Sequence, residues 1–225
     1  MKRHFHVIKM PAWKNLGEAV ASHPDMLLFA DGDTLITSAE YLERYPYVFS
    51  DIRERASISM TFTSDTQKKE YPGDAIFNAL VCSGRIFLKE DTVSDAVKEY
   101  AKRVGLSPVS VKQGYPACTS LAFGNSAVTA DRGMAKVLRD EGINVTLISN
   151  GDISLPPYEY GFIGGCAGVL GNTVYFLGDL SSHRDHIKIE EALRSEGFDF
   201  VSLSDEPLRD LGRIIFIKED IDKDT

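Results

Sequence analysis

Residues 115–148 read YPACTSLAFGNSAVTADRGMAKVLRDEGINVTLI. A short apolar stretch meets Gly124-Asn125, a pair that tolerates the positive φ of a two-residue hairpin turn, and a second apolar stretch follows. Met134, Val137 and Leu138 then recur at the spacing of one helical face. Gly142 suits a left-handed helix cap, and an apolar strand comes next. The order is ββαβ. Two more segments repeat it, one starting at Tyr71 with its turn at Ser83-Gly84, the other at Tyr160 with its turn at Gly171-Asn172. Their helices stop at Gly105 and Gly197, and in the first of them Val93, Ala96, Val97, Tyr100, Ala101 and Val104 mark the buried face. Starts at 71, 115 and 160 lie 44 and 45 residues apart, so five such steps account for all 225 residues.

Outward from this core the pattern loosens. PDMLLFADGDTLITSAEYLERY, with a turn at Asp31-Gly32, predicts another hairpin and helix, and SISMTFT from Ser57 predicts its last strand. A fifth unit is expected from the termini: FHVIKM and LGRIIFI as strands and AWKNLGEAVASH as helix. The expected organisation is one α/β domain with units at about 25–63, 71–111, 115–148 and 160–203, and a fifth built from 1–24 with 207–217. SDTQKKEY, NGDISLPPYEY and SDEPLRD read as polar loops between units.

Composition narrows the function. Lys and Arg total 25 against 33 Asp and Glu, a net charge of −8, which argues against general nucleic-acid binding. No apolar run approaches a membrane span and no secretory leader is evident, so a cytoplasmic location without membrane attachment is predicted. Cys82, Cys118 and Cys166 are expected to be free thiols. Neither C-x-x-C nor H-E-x-x-H occurs, and His183 with His186 reads as a solvated first helical turn rather than a metal site. Asp131 is expected to cap the helix after it, and Trp13 to pack in the core or at an edge.

Because the units repeat, equivalent positions can be compared. Six residues before a turn residue stand Asp25, Asn78, Cys118 and Cys166, allowing a one-residue slip between units. If first strands surround an axis, these side chains meet at one mouth of a central channel. Burial of a free cysteine accounts for either thiol singly, whereas recurrence at one position points to a site.

With ACTSLAFGNSAVTADRG from Ala117 and GFIGGCAGVLGNTVYF from Gly161, the chain over residues 25–203 resembles the pentein, or α/β-propeller, superfamily. That superfamily comprises five ββαβ units around a pseudo-fivefold axis. It includes arginine deiminases, amidinotransferases, dimethylarginine dimethylaminohydrolases and a non-catalytic ribosomal anti-association factor. The resemblance implies Cys166 as a nucleophile attacking a guanidinium carbon, with Asp25 and Asp74 gripping the planar cation. Asn78, Cys118, Gly164 and Gly165 would complete the substrate site, with no metal and no cofactor.

One departure bears on activity. Those enzymes carry a general-acid His two units before the nucleophile, where AIFNALVCSG offers Asn78, and no His occurs between His23 and His183. Asparagine cannot shuttle protons near neutral pH. His4 or His6 could stand in only if an N-terminal strand reached the axis. Two readings therefore stand: a cysteine-dependent hydrolase or transferase on small guanidino compounds, and a non-catalytic pentein that binds a small ligand or a protein partner.

Overall fold

The computed structural model describes residues 5–220. In chain order it contains α1 (Pro24–Leu27), β1 (Leu28–Asp31), β2 (Thr34–Ser38), α2 (Ala39–Arg44), α3 (Pro46–Arg55) and β3 (Ser59–Thr63). Then come β4 (Leu80–Cys82), β5 (Arg85–Leu88), α4 (Asp95–Val104), β6 (Ser107–Ser110), α5 (Pro116–Thr119), β7 (Ser120–Phe123), β8 (Ser126–Thr129), α6 (Arg132–Asp140) and β9 (Asn144–Leu147). The last are β10 (Ala167–Leu170), β11 (Thr173–Phe176), α7 (His186–Ser195) and β12 (Asp199–Ser202). No described helix is long and apolar enough to cross a membrane.

The strands form four three-stranded sheets, β1-β2-β3, β4-β5-β6, β7-β8-β9 and β10-β11-β12. In each, the first pair is an antiparallel hairpin and the third strand returns parallel after a helix. Local chemistry accounts for the units. Ser83 and Gly84 both take positive φ, 48° and 72°, whereas Gly124 and Gly171 do so at the first turn position only. These are the backbone twists that two-residue hairpins favour. In α6, Asp131 Oδ1 accepts the Met134 N–H at 2.8 Å, the expected cap, and Met134, Ala135 and Leu138 face inward. The first unit's turn is Gly32-Asp33, one residue later than Asp31-Gly32, because Asp31 pairs with Thr34 in the ladder.

Three expectations change. Val104, placed on the buried face, is 49% exposed, since α4 ends at that residue and Gly105 turns left-handed behind it. His183 is 1% exposed, tucked between a short 3-10 turn and α7 instead of lying solvated. The terminal segments form no strand among the described residues, and the expected N-terminal helix is reduced to a 3-10 turn at Glu18–Val20. There the Trp13 N–H donates to Ala21 O, closing a loop around buried Trp13 and Leu16 where a long helix would have to run straight.

The C-terminal segment nonetheless occupies the sector between the fourth and first units. The Ile214 N–H donates to Ala167 O at the start of β10, while Ile215 and Ile217 pack with the cluster containing Leu28 and Leu35. β4 lies against β7 and β7 against β10, so first strands line the inside.

Candidate functional site

Just ahead of β1, β4 and β7 three polar side chains meet. α1 carries Asp25, the turn before β4 carries Asn78, and α5 carries Cys118, all 5% exposed or less. The Cys118 thiol donates to Asp25 Oδ2 at 2.8 Å, and Asn78 Nδ2 lies 3.0 Å from Cys118 Sγ and 3.2 Å from the Asp25 carbonyl. Asn78 Oδ1 accepts the Ala117 N–H at 2.9 Å. Asn78 therefore spends both ends of its amide on the chain and acts as a brace between units. Asp25 Oδ1 is buried with no hydrogen-bond partner. Burial, then the Asp25 and Asp210 carboxylates, push the Cys118 thiol well above the usual thiol range.

Sequence reasoning missed two further members. SDEPLRD was read as a polar loop, yet Asp210 is 2% exposed. Its Oδ2 accepts the Phe162 N–H at 2.9 Å, its Oδ1 accepts the Gly212 N–H at 3.0 Å, and His23 Nδ1 lies 3.7 Å from Oδ1. Burial first, then Asp25, raise its carboxyl above the ordinary range. Arg213 follows in a left-handed conformation, φ 76°, rare for a residue with a side chain, and its N–H donates to Gly165 O at 2.8 Å. Among the described residues its guanidinium has no ion-pair partner, and burial lowers its pKa while Asp25 opposes that. A local signal was available in LRDLGR: a Gly flanked by two charged residues at short spacing beside an apolar strand-like run.

Asp25 and Arg213 line a cavity of about 180 Å³ that draws on the inner edge of every unit: Leu28 and Asp31, Phe77, Ala117, Val169, and Ile214 to Ile217. This cavity at the inner edges of the units is walled by hydrophobic side chains and exposed polar atoms together, with separate charged groups of both signs.

The remaining expected site residues go elsewhere. Cys166 is fully buried in an apolar cluster with Ile163, Val174 and Phe176. Its thiol donates to Ile163 O at 3.3 Å, burial pushes its pKa well up, and it is not among the channel-lining residues. It stands four residues before the end of its hairpin's first strand, as the hub residue Asn78 does before Cys82, yet its side chain turns into the cluster. Asp74 Oδ2 accepts from the Tyr115 hydroxyl at 2.7 Å, burial raises its pKa, and among the described residues it has no hydrogen bond to Asp25, Asn78 or Cys118. Gly164 and Gly165 admit the protein's own chain and not a ligand: a Cβ at 164 would sit 2.1 Å from Ala117 O, and one at 165 would sit 2.0 Å from Asp210 Oδ1. His6 pairs with Asp51 at 3.0 Å on an exposed surface, and His4 lies outside the described residues. Among the described residues no imidazole hydrogen-bonds to any of the three buried thiols, and no three His, Cys, Asp or Glu side chains converge as a metal site.

Four ββαβ units arranged around an axial channel define a pentein-type α/β fold. Residues 1–215 match the model described as "Family of unknown function (DUF6873)", and the chain belongs to that family. No curated protein matches it. Among solved structures it is similar to dimethylarginine dimethylaminohydrolase from Pseudomonas aeruginosa, a cysteine-to-serine mutant complexed with citrulline, at TM-score 0.51 and 12% identity, covering 84% of this chain and 72% of that one. It is also similar to SxtG, an amidinotransferase of saxitoxin biosynthesis from Microseira wollei, at TM-score 0.49 and 12% identity, covering 88% and 70%. A third is a dimethylarginine dimethylaminohydrolase adduct with 4-chloro-2-hydroxymethylpyridine, at TM-score 0.47 and 12% identity, covering 84% and 74%.

Proposed function

We propose that the protein binds, without cysteine-dependent turnover, a small zwitterion whose cationic end is a guanidinium or amidinium, held in the axial channel. The carrying observation is the uncommitted Asp25 Oδ1 at a channel that Arg213 also lines. A cationic N–H group supplies the hydrogen bonds that a buried carboxylate oxygen requires, and a guanidinium that feels the Asp25 and Asp31 charges without forming an ion pair can take up a carboxylate. Burial of Asp25 strengthens its contact with the cation.

A nucleophilic mechanism needs a thiolate and a proton carrier. All three thiols are buried with raised pKa, and among the described residues none hydrogen-bonds to an imidazole, so a binding role fits this chain better than hydrolysis. In this reading the termini complete the ring as a fifth unit, with Leu211–Ile217 as its inner edge, and the protein works in the cytoplasm on a free metabolite.

The test is calorimetry of the full chain with L-arginine, L-citrulline and agmatine, alongside chromatography of the incubated mixtures. L-Arginine should bind and emerge unchanged. Agmatine, which lacks the carboxylate, should bind more weakly, and Asp25→Asn should weaken L-arginine by at least about tenfold, the worth of one charged hydrogen bond. Formation of citrulline or ornithine that disappears in Cys166→Ser would overturn the binding reading in favour of the hydrolase.

A further inference from the structure

In each of the first three sheets, one face shares a core cluster with the helix of the next unit. Phe29 and Ile36 of the first sheet pack with Val97 and Tyr100 of α4. Leu80 and Phe87 of the second do so with Met134 and Leu138 of α6, and Leu121 and Val128 of the third with Ile189 and Leu193 of α7. Register gives the corresponding face of the fourth sheet to Gly168, Tyr175 and Val201, directly opposed across β10, β11 and β12. Val174 and Phe176, which flank Tyr175 on β11, point to the other side and pack with α7. Among the described residues no helix follows β12, so the chain supplies none to cover this face.

The terminal segments fill only its inner part. The Phe5 and Phe216 rings lie 5.6 and 5.2 Å from the Tyr175 ring, and Tyr175 is buried. On the outer strand Val201 is 39% exposed, and Leu203, two residues on and so on the same side, is 49% exposed. Leu203 still follows the ladder, its N–H donating to Phe176 O at 3.0 Å. Exposed acids stand at both ends of this apolar strip: Asp199 opens β12, and Asp205 and Glu206 follow Leu203.

We infer that Val201 and Leu203 centre a docking surface for an amphipathic helix of a protein partner, with Lys or Arg beside its apolar stripe. The chain's own repeat sets the occupant's shape: α4 and α7 each run 10 residues and bury an apolar face between sheets of this kind. The carboxylates at the two ends set its charge, because they attract a basic helix and repel an acidic one. Neither Val201 nor Leu203 lines the cavity, so docking here needs no ligand there.

The probe is a fluorescently labelled peptide of about 18 residues, with Leu along one helical stripe and Lys elsewhere, titrated with the full chain and followed by anisotropy. A shuffled peptide of the same composition, lacking the stripe, controls for charge. The striped peptide should bind at least about tenfold more tightly than the shuffled one, and should slow amide exchange over 199–203. Combining Val201→Ser with Leu203→Ser should weaken it at least about tenfold through two lost apolar contacts, whereas Val104→Ser, at an exposed valine of α4, should not. Should the double variant fail to fold, Leu203→Ser alone, past the end of β12, decides with a loss of at least about threefold. Equal affinity for both peptides, binding that survives the substitutions, or no binding up to about 0.1 mM protein overturns the inference. Sedimentation of the full chain alone should show a monomer. Self-association that the double substitution abolishes would assign this face to a second copy and overturn the partner helix.

Discussion

Gly164→Ala tests the hub packing most directly. A methyl at this position would lie 2.1 Å from Ala117 O, 2.6 Å from Ser120 O and 2.7 Å from Cys118 O. All three neighbours are backbone, so none can swing aside as a flexible side chain would. Overpacking of this kind costs about 1–3 kcal/mol and at times more, and three simultaneous backbone contacts argue for the upper end. Unfolding entropy near about 2 cal/mol/K per residue makes about 3 kcal/mol correspond to a melting shift of about 6 °C for a chain of this length. Gly171→Ala is the control. Its Cβ meets nothing within 4 Å, so only the positive φ of 58° is penalised, about 1 kcal/mol. Urea titration and calorimetry of both variants give the comparison. If Gly164→Ala loses no more stability than Gly171→Ala, the fourth unit does not approach α5 as closely as described, and the channel geometry falls with it.

Two further outcomes follow from buried polar groups. Tyr115→Phe keeps the ring against Tyr71 but removes the side-chain donor to Asp74, which should cost about 1–3 kcal/mol by urea titration. The cost should grow as pH rises through the carboxylate range, because the ionised form loses its side-chain donor, and a pH-independent loss would refute this. His183 has a pKa lowered by burial, against the opposing charges of Asp152 and Asp185. Its unfolded form binds a proton more readily, so the stability it contributes is complete above about pH 6.5 and is lost as pH falls below that. Urea midpoints of the native protein should drop toward acid more steeply than those of His183→Gln, and parallel curves would show that another group is responsible.

The four internal units were legible because the turn glycines, helix faces and cap residues repeat in one order. Asp25, Asn78 and Cys118 could be placed at the hub from their offset to the turns alone. Cys166 shares its offset with Asn78, both standing four residues before the end of their strand, so the offset alone does not set the direction of the side chain. The turn ahead of β10 points the Cys166 thiol to Ile163 O and into the apolar cluster, a local geometry that the spacing does not report. Asp210 and Arg213 were missed because the charged pair flanking Gly212 is a weak local signal and their importance comes from chain contacts made at long range. The Phe162 N–H, His23 and Gly165 O are far away in sequence, and no local pattern signals that a polar loop will turn inward. The terminal sector was misread for a related reason. LGRIIFI has the apolar character of a strand, but its observed backbone bonds run to Gly165 and Ala167 at the start of β10 without forming a regular ladder.

None of the four sheets shares a strand with another, and the units are joined at the centre by single bonds such as those from the Gly165 N–H to Cys118 O and from the Ile214 N–H to Ala167 O. Like staves in a cask, neighbouring blades share few backbone bonds and lean on common apolar clusters, so a lesion at one blade's root should be felt by its neighbours. A single substitution there should broaden or split the unfolding transition, whereas one at a blade's outer tip should leave it sharp.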